Sequence, residues 1–187
     1  MINYILNLFK TKKNKIEPNI NNLNGLFNDS IYNIADEELA NEVYFHLDYI
    51  VRESNSTNEV EYVLNLPEEF QNIYYIGYLI GEVQNGGFNQ YYFNFSGNYA
   101  EFTPNAFKSI LADKHYHLMM EANKCFEVEN KKITEKQDGT LEGFSKSYEE
   151  NPLEKFDKQI YALEKIENIK KLQAEYIREN KIIFSKM

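Results

Sequence analysis

The sequence predicts an all-α fold: a single compact multi-helix domain around a central apolar helix broken at a Gly-Gly turn. Apolar residues recur three and four apart along most of the chain, while alternating strand patterns are almost absent. Proline stands beside predicted first turns at Pro67 and Pro104. The 187 residues suit one domain, and 13 Phe, 15 Tyr and 43% hydrophobic residues can close a real core. No internal repeat is visible.

Residues 1–30 are predicted as an N-terminal arm, a short helix plus linker, and residues 31–187 as the helical domain. The apolar run Met1–Phe9 precedes Lys10, Lys12, Lys13 and Lys15, the reverse of a secretory signal. It is also shorter than the roughly 20 residues that span a bilayer. No stable membrane insertion and a cytoplasmic location are expected. The single Cys125 cannot form an internal disulfide and is read as a small buried helix residue.

The first helix is expected to start near Asp36, capped by its carboxylate, with the stripe Leu39, Val43, Leu47 and Ile50, and to end by Ser54. The second begins at Pro67-Glu68-Glu69 and is apolar almost all round from Phe70 to Val83, the pattern of a buried central helix. Gly77 and Gly81, four apart, should let a neighbouring helix come close. Gly86-Gly87 should break it, most simply through a left-handed cap. Phe88–Gly97 then packs five aromatics and three amides into ten residues. Phe88 and Phe93 are read as core, and Tyr91 and Tyr92 as core or exposed binding patch.

Thr103-Pro104 should reopen helix with Thr103 as cap, the stripe running through Phe107, Ile110 and Leu111. A break at Asp113 precedes Leu118, Ala122 and Phe126. Residues 127–147, with Asp138-Gly139, read as loop or weak hairpin. Two out-of-phase stripes close the chain: Leu153, Phe156, Ile160 and Leu163, then Ile166, Ile169, Leu172 and Tyr176.

The net charge of −9 is unevenly spread. Residues 31–130 carry 16 acidic and four basic side chains, a balance of −12, against +2 before them and +1 after. Such a region repels DNA and RNA, so no direct nucleic-acid binding is expected, and it attracts basic protein surfaces. The plainer reading is that these carboxylates solvate helix faces.

No phosphate loop, dinucleotide fingerprint, CxxC or HExxH motif is present, and neither metal nor cofactor is expected. On a helix, His115 and His117 point about 200° apart and cannot share a metal. Glu82, on an otherwise apolar helix, offers the one candidate general base, with His115 or His117 as its partner in an enzymatic reading. The structural reading has Glu82 accepting backbone N–H groups freed at the helix break.

The run Glu82-Val83-Gln84-Asn85-Gly86-Gly87-Phe88-Asn89-Gln90-Tyr91-Tyr92-Phe93-Asn94, then Ser96-Gly97, resembles the signature of the DMP19-like family of bacterial helical proteins, mostly uncharacterised, which includes a known DNA mimic. Ala106–Phe126, Phe156-Asp157 and Tyr176–Asn180 with Phe184 extend the likeness, which spans about residues 36–184. It marks Glu82, Asn85, Gly86, Gly87, Phe88, Gln90, Tyr91, Phe93, Asn94, Ser96 and Gly97 as family motif. That motif is not itself acidic, so it defines the fold and not the mimicry. Position 95 is Phe where a small residue is expected.

The resemblance and the charge together imply an acidic protein-binding module, in one form a DNA mimic occupying a basic DNA-binding protein. An immunity or antitoxin-like protein binding a toxin is the alternative in the same class. The candidate acidic face comprises Asp36, Glu37, Glu38, Glu42, Glu59, Glu61, Glu68 and Glu69. The expected partner is another protein with a basic surface; a homodimer is compatible with the same features.

Overall fold

The computed structural model describes residues 31, 33–54, 56–135, 140–149 and 151–185. Among them are α-helices and one 3-10 helix, and no strand. The predicted N-terminal arm lies outside the described residues, as does Asp138-Gly139.

Helix α1 (Asp36–Glu53) buries Leu39, Ala40, Val43, Leu47 and Val51, while Ile50 is half-buried. Asp36 does not cap it: the N-cap is Ala35, and the Asp36 carboxylate instead accepts from the Arg178 guanidinium at 2.9 Å. Arg178 also donates to the Ile31 and Ile34 carbonyls, so a residue near the chain's end ties down the entry to α1. A short helix not expected from the sequence follows, α2 (Glu59–Leu64). Asn58 caps it by accepting from the Glu61 N–H, and the Asn58 amide donates back to the Glu61 carboxylate.

Helix α3 (Glu68–Phe93) is the centre of the fold and packs against α1 and most later elements. Pro67 is its N-cap, one position earlier than the first turn. The glycine pair divides. A Cβ at Gly77 would run into the Tyr44 ring, so this glycine lets α1 close on α3, whereas a Cβ at Gly81 would meet nothing within 4 Å. After the 3-10 helix Phe95–Tyr99 come α4 (Thr103–Ser109) and α5 (Asp113–Thr134), packed on each other. Thr103 sits in the first turn and not at the cap: its hydroxyl donates to the Tyr99 carbonyl. Leu111 is not part of the apolar stripe. It is 77% exposed at φ 62°, in the tight turn between α4 and α5.

Residues 127–134, expected as loop or weak hairpin, continue α5, and α6 (Leu141–Lys146) follows within the same expected loop. The polar composition there is that of an exposed helix face, which periodicity of apolar residues does not reveal. The two closing stripes are separate helices, α7 (Glu154–Leu163) and α8 (Ile169–Glu179), followed by α9 (Lys181–Phe184). Ile166, assigned to the second stripe, lies between them and is exposed.

The core is unusually tyrosine-rich, and its hydroxyls are partnered. Tyr91 shares a hydrogen bond with Thr103 at 3.0 Å, and Tyr92 donates to Asn123 at 2.7 Å. Tyr74 and Tyr99 both donate to one oxygen of Glu59. Each ring thus buries apolar area without leaving a polar atom stranded.

Candidate functional site

The signature run folds into the bend of α3. Gly86 (φ −156°) and Gly87 (φ 72°, ψ −173°) interrupt the helix, which resumes through Phe93. The Gly87 conformation is essentially glycine-only, and it is not the left-handed cap expected from sequence. A Cβ on Gly87 would also come within 2.5 Å of the Asp157 carboxylate. That carboxylate, carried on α7, accepts the Phe88 backbone N–H at 2.7 Å. The N–H freed by the break is therefore stapled by Asp157, not by Glu82. Desolvation raises the Asp157 carboxyl above its ordinary range, and the Phe88 N–H acts against that rise.

Glu82 performs a different task. It accepts from the side-chain amides of Gln90 at 2.7 Å and Asn94 at 2.8 Å, joining the two limbs of the bent helix from side chain to side chain. The carbonyls exposed at the bend are also taken: Tyr148 donates to Gly86 and Tyr161 to Val83. Of the other motif residues, Phe88 and Tyr91 are buried, and the Ser96 hydroxyl returns to the Tyr91 carbonyl. A Cβ on Gly97 would press on the Tyr92 backbone. Asn85 is exposed. Phe93, expected in the core, is 41% exposed, because the bend turns the second limb so that Phe88, Tyr91 and Tyr92 take the inner side. Tyr92 stacks on Phe126 at 4.3 Å, which makes it core and not a surface patch.

His115 is buried, and its Nδ1 lies 2.6 Å from Glu167. The same carboxylate accepts the backbone N–H groups of Lys114 and His115, capping α5 from the α7–α8 connection. Burial pushes the Glu167 carboxyl up, but the His115 ring and the two N–H groups outweigh it and hold the group below the usual glutamate range. His117 is exposed and packs edge-on against Tyr116. Glu82 and the two histidines are thus engaged separately, and no hydrogen bond joins them among the described residues. No group of three His, Cys, Asp or Glu among those residues could hold a metal, and none of their helices is long and apolar enough to cross a membrane. Cys125 is half-buried beside the Pro152 carbonyl.

The eight acidic candidates do not form one uniform set. Glu37, Glu38, Glu42 and Glu68 are exposed, and Asp36 is exposed but paired with Arg178. Glu59 turns inward to the two tyrosines, and Glu61 is held by Asn58. Glu69 is half-buried in the first turn of α3. The stretch of α1 from Glu37 to Glu42 carries three carboxylates with no ion-pair partner among the described residues. Phe45 and Tyr49 lie beyond it on the same helix, 63% and 56% exposed. Neither aromatic was singled out from the sequence; their spacing of four, out of phase with the core stripe, is the signal that could have found them.

The DMP19-like protein family profile matches residues 64–180, from the end of α2 to the end of α8. This chain belongs to the DMP19-like family. No curated protein and no solved structure matches it. The DMP19-like span holds the bend, Asp157 and the Glu167 cap. It begins after α1, so the likeness is shorter than residues 36–184, and of the acidic candidates only Glu68 and Glu69 fall inside it.

Proposed function

We propose that this DMP19-like protein is a protein-binding module that offers an acidic surface to a basic partner, a DNA-binding protein whose DNA site it occupies. The observation that carries this reading is the set of exposed carboxylates at Glu37, Glu38 and Glu42, unpaired among the described residues, within a stretch of the chain whose balance is −12. Fixed anions on a rigid helix attract cationic side chains and speed encounter, while they repel nucleic acid itself. Family membership is compatible with DNA mimicry and supports the same direction. The bend contributes rigidity to the scaffold, since the Phe88 N–H, the Gly86 carbonyl and the Glu82 carboxylate there are each held by a side chain from elsewhere in the fold or from the other limb.

The test is displacement of a labelled duplex from basic DNA-binding proteins of the source cell by the full-length chain, repeated across salt concentrations. Binding should weaken at least about tenfold between about 50 and about 200 mM salt, as expected when several charge contacts are lost. Binding indifferent to salt, or no displacement of DNA from any such protein, would overturn the proposal.

A further inference from the structure

We infer that the outward stripe of α1, formed by Glu38, Glu42, Phe45 and Tyr49, is the docking surface, and that its occupant is a helical segment of a partner protein carrying arginines or lysines around an apolar anchor. The inference rests on the acidic-module reading above and adds the place and the chemistry of contact.

The four residues are spaced by four, three and four, which sets them in one narrow sector of the helix. The opposite sector is the buried one, Leu39, Val43, Leu47 and Val51, fixed against α3 and α8. Tyr44 fills the groove over Gly77, and the Phe45 ring, 5.5 Å away, is left outside it. Two large aromatics one turn apart in the open are more than solvation of a helix needs.

Their neighbours decide what covers them. Glu42 lies about one turn and Glu38 about two turns before Phe45, with Tyr49 one turn beyond it. Neither carboxylate has an ion-pair partner among the described residues, while the Asp48–Arg52 pair at 2.8 Å closes one flank. An arginine or lysine gains twice here, from a charged hydrogen bond to a carboxylate and from an aromatic face. A second copy docked in parallel through the same stripe would set Glu38 and Glu42 against their own counterparts. An antiparallel copy would face them with Tyr49 and Phe45 and so offer the carboxylates no cation from the stripe. An anionic lipid surface or nucleic acid would be repelled. Because α1 precedes the family-matched span, the partner it selects belongs to this chain's own sequence and not to the shared signature.

The experiment uses the full-length chain labelled for amide NMR and titrated with a synthetic helical peptide that has leucine anchors flanked by arginines. A control peptide carries neutral citrulline in place of arginine. Shifts are expected to concentrate on residues 38–53 with the arginine peptide and to be absent with the control. Phe45→Ala/Tyr49→Ala should weaken binding about tenfold or more, and Glu38→Lys/Glu42→Lys should abolish it; unchanged melting temperatures would show both variants folded. Shifts mapping elsewhere, or wild-type affinity in both variants, would overturn this surface while leaving the acidic module standing. Failure of the peptide to bind, where salt-dependent displacement of DNA still holds, would overturn the docking mode alone; failure of both measurements removes both. Two further outcomes overturn the choice of occupant. One is a change at residues 38–49, without peptide, when Lys10, Lys12, Lys13 and Lys15 are replaced by Glu, which would assign the stripe to the chain's own arm. The other is concentration-dependent broadening of the α1 amides, which would assign it to a second copy.

Discussion

Around Gly86 and Gly87, three side chains from two other parts of the chain converge on one stretch of backbone: from α7, Asp157 on Phe88 N–H and Tyr161 on the Val83 carbonyl, and from beyond α6, Tyr148 on the Gly86 carbonyl. On the outer side of α1, Glu37, Glu38 and Glu42 have no ion-pair partner among the described residues, and two aromatics project outward. The bend lies inside the family match and α1 lies before it. The difference separates what this family's signature specifies from what an individual member can vary. Where backbone groups and side chains are partnered across the bend, a change at one residue strands another. A surface carboxylate can be replaced at little cost to folding, so its pattern is free to follow a partner.

The sharpest way to test the interlocked half is Gly87→Ala. The substitution places a Cβ 2.5 Å from the Asp157 carboxylate and forces a side chain into a backbone region that only glycine tolerates. A loss of about 3 kcal/mol or more is expected in chemical or thermal unfolding. A variant as stable as the parent would mean that the bend is not fixed by this glycine.

The seam between α1 and α3 gives a paired comparison. Gly77→Ala drives a methyl into the Tyr44 ring, and an overpacked helix crossing of this kind costs about 1–3 kcal/mol. Gly81→Ala meets open space and should stabilise by up to about 1 kcal/mol, since alanine restricts the unfolded chain and favours helix. If both variants lose stability equally, the close approach at Gly77 is not what the glycine provides.

How much of this was legible follows from what each signal requires. The stripe of α1, the apolar α3 and the two closing helices were readable because burial of one face leaves a period of three and four. Helix α2 spans six residues, too few to show that period, although the Asn58–Glu61 cap was present in the sequence. The length of α5 was hidden because its last turns face solvent and carry few apolar residues. At the bend, the glycines announced a break, but not that helix would resume or that Phe93 would turn outward. The identity of the staple was beyond local reading, since Asp157 lies 69 residues from the N–H it accepts. Glu82 was the nearer carboxylate, and its actual partners, two side-chain amides, were in plain sight at Gln90 and Asn94.

Asp157 and Glu167 sharpen the comparison through pH. Removing the Asp157 acceptor with Asp157→Ala strands the Phe88 N–H and should cost about 1–3 kcal/mol. Asp157→Asn keeps an acceptor oxygen and should cost less. Because the folded Asp157 carboxyl titrates above its unfolded value, the folded state binds the proton more tightly there, so its contribution to stability improves as pH falls through the folded value. Glu167 has the opposite sign. Its folded carboxyl titrates below the unfolded value, so its stabilisation is present above the ordinary glutamate range and is lost as pH falls through the folded value. Unfolding measured across acid pH should therefore lose part of its acid limb in Glu167→Gln and not in Asp157→Asn.

The smallest effect is expected on the outer face of α1, and its smallness is what gives it meaning. Phe45→Ala/Tyr49→Ala removes two rings that already stand mostly in water, so little apolar area returns to solvent on unfolding. Among the described residues, the one ring contact forfeited is that of Phe45 with Tyr44, while Tyr44 keeps its seat over Gly77 and its contacts with Tyr74 and Tyr78. Stability should stay within about 0.5 kcal/mol of the parent. A loss as large as that at the bend would show that these aromatics serve the fold, and would take away the reason to look for a partner on this side of the molecule.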